Sequence, residues 1–343
     1  MITKLPYKIM IEEQCKGKLL DFFREFESIN RIAIICGENT FSVIGEDVKE
    51  ELKSEYKADT FLVNSDFGEK ELIEKLSKDI GGYDIVIGIG GGRNIDIAKY
   101  SSLLAKVPWV AFPTVLSHDG VVSSRASIKS NGKRISIQAQ EPIGIIIDLD
   151  IVRKAPYRNI AAGFGDLISN IIAVEDWKLA AKRGKERYHT LIGELSLLSA
   201  RAVIEHVDEI RSLDLHGLEV LAWSLICSGF AMNIYGSSRP CSGSEHNFSH
   251  ALDELGSNAL HGEQCALGTI IMSYLHNKDW KEIRDIIKRV GLPTSAKEIG
   301  ISEDVLVKAL VIAKHVRERY TILDEVDINE DYARRILKEV EII

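Results

Sequence analysis

The chain has 343 residues, 45% of them hydrophobic and 27% charged, with a formal charge of −8. That length exceeds what a single growing core supports, so two packed units are expected, and the ordinary composition excludes a disordered, fibrous or disulfide-dense protein. The basic residues gather only in short clusters such as Lys182, Arg183, Lys185 and Arg187, which denies the chain the basic face that a nucleic-acid partner requires. The opening MITKLPYKIMIEEQC carries no export signal, and apolar runs such as 143–147 are too short to enter a bilayer, so no membrane insertion is expected. The five cysteines, at 15, 36, 227, 241 and 265, form no CxxC pair. They fit a reducing cytoplasm.

In chain order, 31–36 is the first β-branched run, followed by a helical period over 41–54, a strand at 60–63 and a helix at 69–78. A strand at 84–90, a helix at 94–106 and a strand at 109–113 continue the alternation, as in an open, mostly parallel α/β sheet that binds a nucleotide. SIKSNGKRISI over 127–137 sets Asn131 and Gly132 between two alternating runs, which predicts an inserted β-hairpin. One further apolar strand at 143–149 ends the β signals. From residue 160 the pattern is helical over 166–182, 189–206, 218–235, 244–254, 263–277, 278–289, 304–317 and 330–340. The expected division is therefore an α/β domain at 1–155 and an all-α domain at 156–343.

GIGGGRNID over 88–96 leaves a strand and opens a helix. Gly90, Gly91 and Gly92 allow backbone N–H groups at the positive end of a helix dipole to approach a phosphate. The spacing is not that of the GxGxxG fingerprint, and the turn follows the third predicted strand instead of the first. Beyond the next strand, Thr114 and Ser117 in PTVLSHDG lie where open sheets hold ligands.

In the helical half, GFGD over 163–166 places Asp166 after a glycine-rich turn at a predicted helix start. SGSEHNFSH over 242–250 puts His246 and His250 four apart on one helix face, and LHGE over 260–263 adds His261 at the mouth of another helix. The chain's other histidines form no such spacing. One Asp and two His with a position left open is the donor set of a catalytic zinc site. Cys241 and Cys265, close by in sequence, are read as buried structural thiols.

Taken together, GGGRNIDIAKY, FPTVLSHDGVVSSRASI, GFGDLISN, SGSEHNFSHAL and HGEQCALG, in this order and at these separations, resemble the archaeal-type sn-glycerol-1-phosphate dehydrogenase family. That family belongs to the superfamily of glycerol dehydrogenases, iron-type alcohol dehydrogenases and 3-dehydroquinate synthase. The resemblance runs from about 37 to 276. It implies a zinc held by Asp166, His246 and His261, with Asp119, Asp166 and His250 facing the substrate. It also implies that Gly92, Arg93, Asn94, Ile95 and Asp96, with Thr114, Ser117 and Ser123, contact NADPH or NADH. The implied reaction reduces dihydroxyacetone phosphate to sn-glycerol 1-phosphate for ether-lipid backbones. A Lewis-acidic zinc and a proton from His250 or Asp119 would serve it.

The loop at 36–40 carries neither a clear Asp for a ribose 2′-OH nor an Arg for a 2′-phosphate, so use of both dinucleotides is expected. Arg239, on the small-residue loop leading to His246, is expected to supply or support the cation for the substrate phosphate. A carboxylate partner for Arg239 is the competing reading. Glycerol dehydrogenase, dehydroquinate synthase and a non-catalytic nucleotide sensor are the alternative functions, and a homo-oligomer is expected.

Overall fold

The computed structural model describes residues 5–63, 68–130 and 133–343. The chain divides into two compact units, Met1–Leu116 with Gly120–Ala155, and Ser117–Asp119 with Pro156–Ile343.

The first unit is built on β1 (Lys8–Glu12), β2 (Arg31–Gly37), β3 (Lys57–Val63), β4 (Ile85–Gly90), β5 (Trp109–Pro113), β6 (Arg125–Ser130), β7 (Lys133–Gln138) and β8 (Gly144–Asp148). Six of these strands form one sheet in the order β1-β8-β5-β4-β2-β3, with every pairing parallel. Parallel strands covered on both faces read as continuous apolar runs. The inner strands do so, since Ile32 to Cys36 and Ile85 to Ile87 are fully enclosed. Phe22, Phe23, Val48 and Leu52 from the covering helices pack with Ile34, Ile87, Val110 and Phe112 in one core cluster. The expected hairpin is present as β6 and β7, paired antiparallel from Arg125↔Gln138 to Ser130↔Lys133. Its turn, Asn131 and Gly132, lies outside the described residues.

Two elements depart from the sequence reading. KIMIE over Lys8–Glu12 is an edge strand pairing only β8, half-buried at every position, so it shows neither alternation nor a buried run. It makes β4 the fourth strand in chain order. The helix read at 41–54 begins as a π-helical turn, Phe41–Gly45, before the α-helix Glu46–Leu52.

The second unit is helical throughout its described residues. Its longest helix, Leu215–Tyr235, is long and apolar enough to cross a membrane, yet 67% of its apolar window is buried within the fold. The segment read as one helix over 166–182 is two, Tyr157–Ile168 and Asn170–Lys182. Asp166 therefore ends a helix and does not start one. Gly165, one of the two glycines that suggested a turn, has another purpose. A Cβ on Gly165 would lie 2.2 Å from the carbonyl oxygen of Gly262, and one on Gly262 would lie 1.8 Å from that of Ala162. Tyr157–Ile168 and His261–Leu275 thus cross with their backbones in contact, a closeness only glycine permits.

Candidate active site

That crossing sets Asp166, in the last turn of one helix, beside His261, the first residue of the other. The helix Ser244–Glu254 contributes His246. Asp166 Oδ1 lies 3.6 Å from His246 Nε2 and 3.5 Å from His261 Nε2. Cys265, one turn beyond His261, brings its Sγ within 3.5 Å of His261 Nε2. All four donor atoms lie within 4.8 Å of one another. Metal–nitrogen and metal–oxygen bonds of about 2.0–2.2 Å and metal–sulfur bonds of about 2.3 Å give tetrahedral edges of roughly 3.4–3.6 Å, so the separations fit a bound zinc-sized cation. Cys265, read as structural, belongs to this group. Its i+4 spacing from His261 was the available signal.

Each imidazole is oriented from behind. His246 Nδ1 pairs with Glu245 Oε1 at 2.8 Å, and Glu245 also accepts the Gly243 N–H. His261 Nδ1 lies 3.1 Å from Ser249 Oγ, which donates to Gln264 Oε1. Such partners fix ring orientation and tautomer around a metal. Burial opposes the charge on Asp166, but the hydrogen bond with His246 and the nearby imidazoles outweigh it and hold the carboxyl below its usual range.

Asp119 joins the group through its main chain. Its N–H donates to Asp166 Oδ2 at 2.9 Å, while Ser228 Oγ donates to its carboxylate at 2.8 Å. Burial and the charge of Asp166 push Asp119 up. His250 lies off the donor cluster, its ring 6.5 Å from His246 and 6.1 Å from His261. Burial, with the charges of Arg317 and the two imidazoles, pushes it down to about 2, so it is neutral. Cys241 stays apart from the donors, its thiol on the Ser228 carbonyl oxygen and raised to about 12 by burial.

Arg239 is buried and already partnered. Its side chain is 1% exposed, and its guanidinium binds Glu186 at 2.8 Å and the carbonyl oxygens of Asp176 and Tyr320. The carboxylate partner weighed against it is present, as Glu186. Arg317 and Arg319 also reach this loop, at Ser238 and Ser242. Arg317 was read as the last residue of the 304–317 helix, which stops at Ile312, and Arg319 lies beyond that reading.

In the first unit, Gly91 is the N-cap of the helix Gly92–Ala105 and provides no side-chain cap hydrogen bond. Gly90 has φ +141°, and a Cβ there would meet Asn94 Nδ2 at 2.4 Å. A Cβ on Gly91 meets only Val115, at 3.4 Å, so space lies open above the turn. Free N–H groups and the positive end of a dipole at such a helix start suit an anion. The neighbouring residues divide. Arg93 is exposed and paired with Glu69, while Ile95 and Ser123 are buried. Asp96 is buried and accepts the Ser127 N–H and Lys99 Nζ. Thr114 is half-buried with its N–H on the Gly90 carbonyl oxygen, and Ser117 falls in the second unit.

An open parallel sheet with a glycine cradle after β4 and a helical unit gathering Asp, His and His define an alcohol dehydrogenase of the metal-containing type. A family model described as iron-containing alcohol dehydrogenase matches residues 10–156. The chain is 41% identical over 342 residues to glycerol-1-phosphate dehydrogenase [NAD(P)+] of Thermococcus kodakarensis, covering 98% of this chain and 97% of that protein. It is 42% identical over 315 residues to the protein of that name from Methanosphaera stadtmanae, covering 91% and 90%. The crystal structure of a probable glycerol dehydrogenase from Sinorhizobium meliloti shares the fold, with a TM-score of 0.79 at 19% identity over 99% of this chain and 98% of that one. The chain belongs to the glycerol-1-phosphate dehydrogenase family.

Proposed function

We propose that the protein is a zinc-dependent, NAD(P)H-linked reductase that converts dihydroxyacetone phosphate to sn-glycerol 1-phosphate, for ether-type phospholipid backbones. One observation carries this reading: near-complete-length identity of about 40% to glycerol-1-phosphate dehydrogenases named for NAD(P)+. The convergence of Asp166, His246 and His261 within 4.8 Å supports it chemically.

Asp166, His246 and His261 hold the metal, with Cys265 at its edge. A cation bound there supplies Lewis acidity to the ketone oxygen, and nicotinamide supplies the hydride. The chain's own residues do the rest. Asp119 fixes Asp166 through its N–H and, with neutral His250, lies on the proton route to the new hydroxyl. Gly90, Gly91, Gly92 and the N–H groups that open the Gly92–Ala105 helix cradle the pyrophosphate, and Asn94 holds the turn's shape. Asp96 and Arg93 support this segment from behind, while Thr114, Ser117 and Ser123 follow it along the chain towards the ribose and ring.

The setting is the cytoplasm, with no nucleic-acid partner and no membrane insertion, in keeping with five free cysteines and a net charge of −8. A homo-oligomer is supported by Leu191 and Leu198, two turns apart on one helix and 85% and 58% exposed. The testing assay follows NADPH and NADH oxidation by the zinc-loaded protein with dihydroxyacetone phosphate, before and after chelation. Turnover that needs both the metal and the phosphorylated ketone supports the reading. Turnover indifferent to chelation refutes it.

A further inference from the structure

The loop Ser238 to Ser242 sits among three guanidinium groups. Arg239 is committed to Glu186 and to main-chain carbonyl oxygens. Arg317 and Arg319 both reach the serines of this loop. Arg317 donates from Nη1 to Ser242 Oγ at 2.9 Å and from Nη2 to Ser238 Oγ at 3.4 Å. Arg319 donates from Nη2 to Ser238 Oγ at 3.0 Å and from Nη1 to the Ser242 carbonyl oxygen. Two arginines converging on the same two residues repel each other. Burial, then the charges of Arg317 and Arg239, pull Arg319 down to about 9, against the opposing pull of Glu245 and Glu186.

The pair is also held in place deliberately. Asp176, fully buried, accepts the N–H groups of Ser244 at 2.6 Å and Ile322 at 2.7 Å, and His276 Nε2 at 2.9 Å. One carboxylate thus ties the serine loop to the segment that carries Arg317 and Arg319. Ser242 lies two residues before the helix Ser244–Glu254 that carries His246 and His250, so the arginine pair stands at the start of that helix.

We infer that Arg317 and Arg319, with Ser238 and Ser242, form the subsite for the substrate's phosphate. This rests on the reading that the substrate is a phosphorylated ketone. A phosphate dianion takes the two forks in bidentate fashion, and the serine hydroxyls turn to donate to the remaining oxygens. Lysine, a point donor, would fill this geometry poorly. Arg239 stands behind as support.

The test uses zinc-loaded Arg317→Ala, Arg319→Ala and Arg319→Lys proteins, with dihydroxyacetone phosphate and dihydroxyacetone as alternative substrates. Each Ala variant should lower the ratio of kcat/KM for the phosphorylated over the unphosphorylated ketone by roughly ten- to a hundredfold, chiefly through KM, with Arg319→Lys between. Inorganic phosphate should protect the wild-type protein against heating and protect Arg317→Ala less. If Arg319→Ala fails to fold, Arg317→Ala and Arg319→Lys carry the comparison. An unchanged ratio in a folded, zinc-loaded Arg317→Ala protein overturns the assignment. Wild-type failure to prefer the phosphorylated ketone would instead count against the function itself, and loss of phosphate protection in Arg317→Ala would still identify the anion site.

Discussion

The main-chain N–H of Asp119 donates to Asp166 Oδ2 at 2.9 Å, leaving Oδ1 to face His246 and His261. Because this contact is made by backbone, the side chain of Asp119 is dispensable for holding Asp166. Asp119→Ala should keep its zinc and lose roughly 10²–10⁴-fold in turnover if the carboxylate takes part in proton transfer. Asp166→Asn should lose metal and activity together. Metal analysis beside steady-state kinetics separates the two. Zinc loss in Asp119→Ala would mean that its side chain also serves the ligand set.

Glu245 never reaches the donor cluster but pairs with His246 Nδ1 at 2.8 Å. Glu245→Gln should weaken zinc affinity by roughly 10–100-fold, the usual cost of losing the carboxylate behind a ligating imidazole. Competition with a chromophoric chelator measures it. Unaltered affinity would show that helix packing alone orients the ring.

The two glycines of the cradle should fail differently. Gly90 has φ +141° with Asn94 against it, so Gly90→Ala should cost about 1–3 kcal/mol of stability. Gly91 has φ −75° and room for a side chain. Gly91→Val should leave the melting temperature nearly intact while weakening NADPH binding by about tenfold or more, because the branched side chain stands where pyrophosphate must lie. Fluorescence titration of NADPH would detect the difference. Full affinity in Gly91→Val would move the phosphates elsewhere.

Lys99 is fully buried, with Nζ 3.3 Å from Asp96 Oδ1, 2.5 Å from the Gly120 carbonyl oxygen and 2.6 Å from that of Arg125. Removing one partner of a buried pair leaves the other uncompensated. Lys99→Met should therefore destabilise the first unit by about 3–5 kcal/mol in denaturant unfolding. A loss under 1 kcal/mol would show that water replaces the ammonium.

Much of this was legible in the sequence, for physical reasons that differ along the chain. The inner strands announce themselves because both faces are covered, β2 and β4 as β-branched runs and β5 as a wholly apolar one. β1 does not, since an edge strand half-buried along its length has no period to read. The donors Asp166, His246 and His261 were legible as residue types, yet GFGD was misplaced at a helix start because close helix crossing and a tight turn both select glycine. Cys265 was set aside because its i+4 spacing from His261 is shared by many buried thiols, and only the fold shows its Sγ 3.5 Å from the imidazole. Arg239 stood out through its sequence distance from His246. Arg317 and Arg319 lie some seventy positions further on, and only folding brings them to the Ser238 to Ser242 loop.

The most direct test of the central claim is the configuration of the product. Zinc-loaded protein supplied with dihydroxyacetone phosphate and NADPH or NADH should release glycerol phosphate that is entirely the sn-1 enantiomer, with turnover abolished by chelation and restored by Zn²⁺. Release of sn-glycerol 3-phosphate, or reduction of dihydroxyacetone with the phosphorylated ketone left untouched, would contradict it.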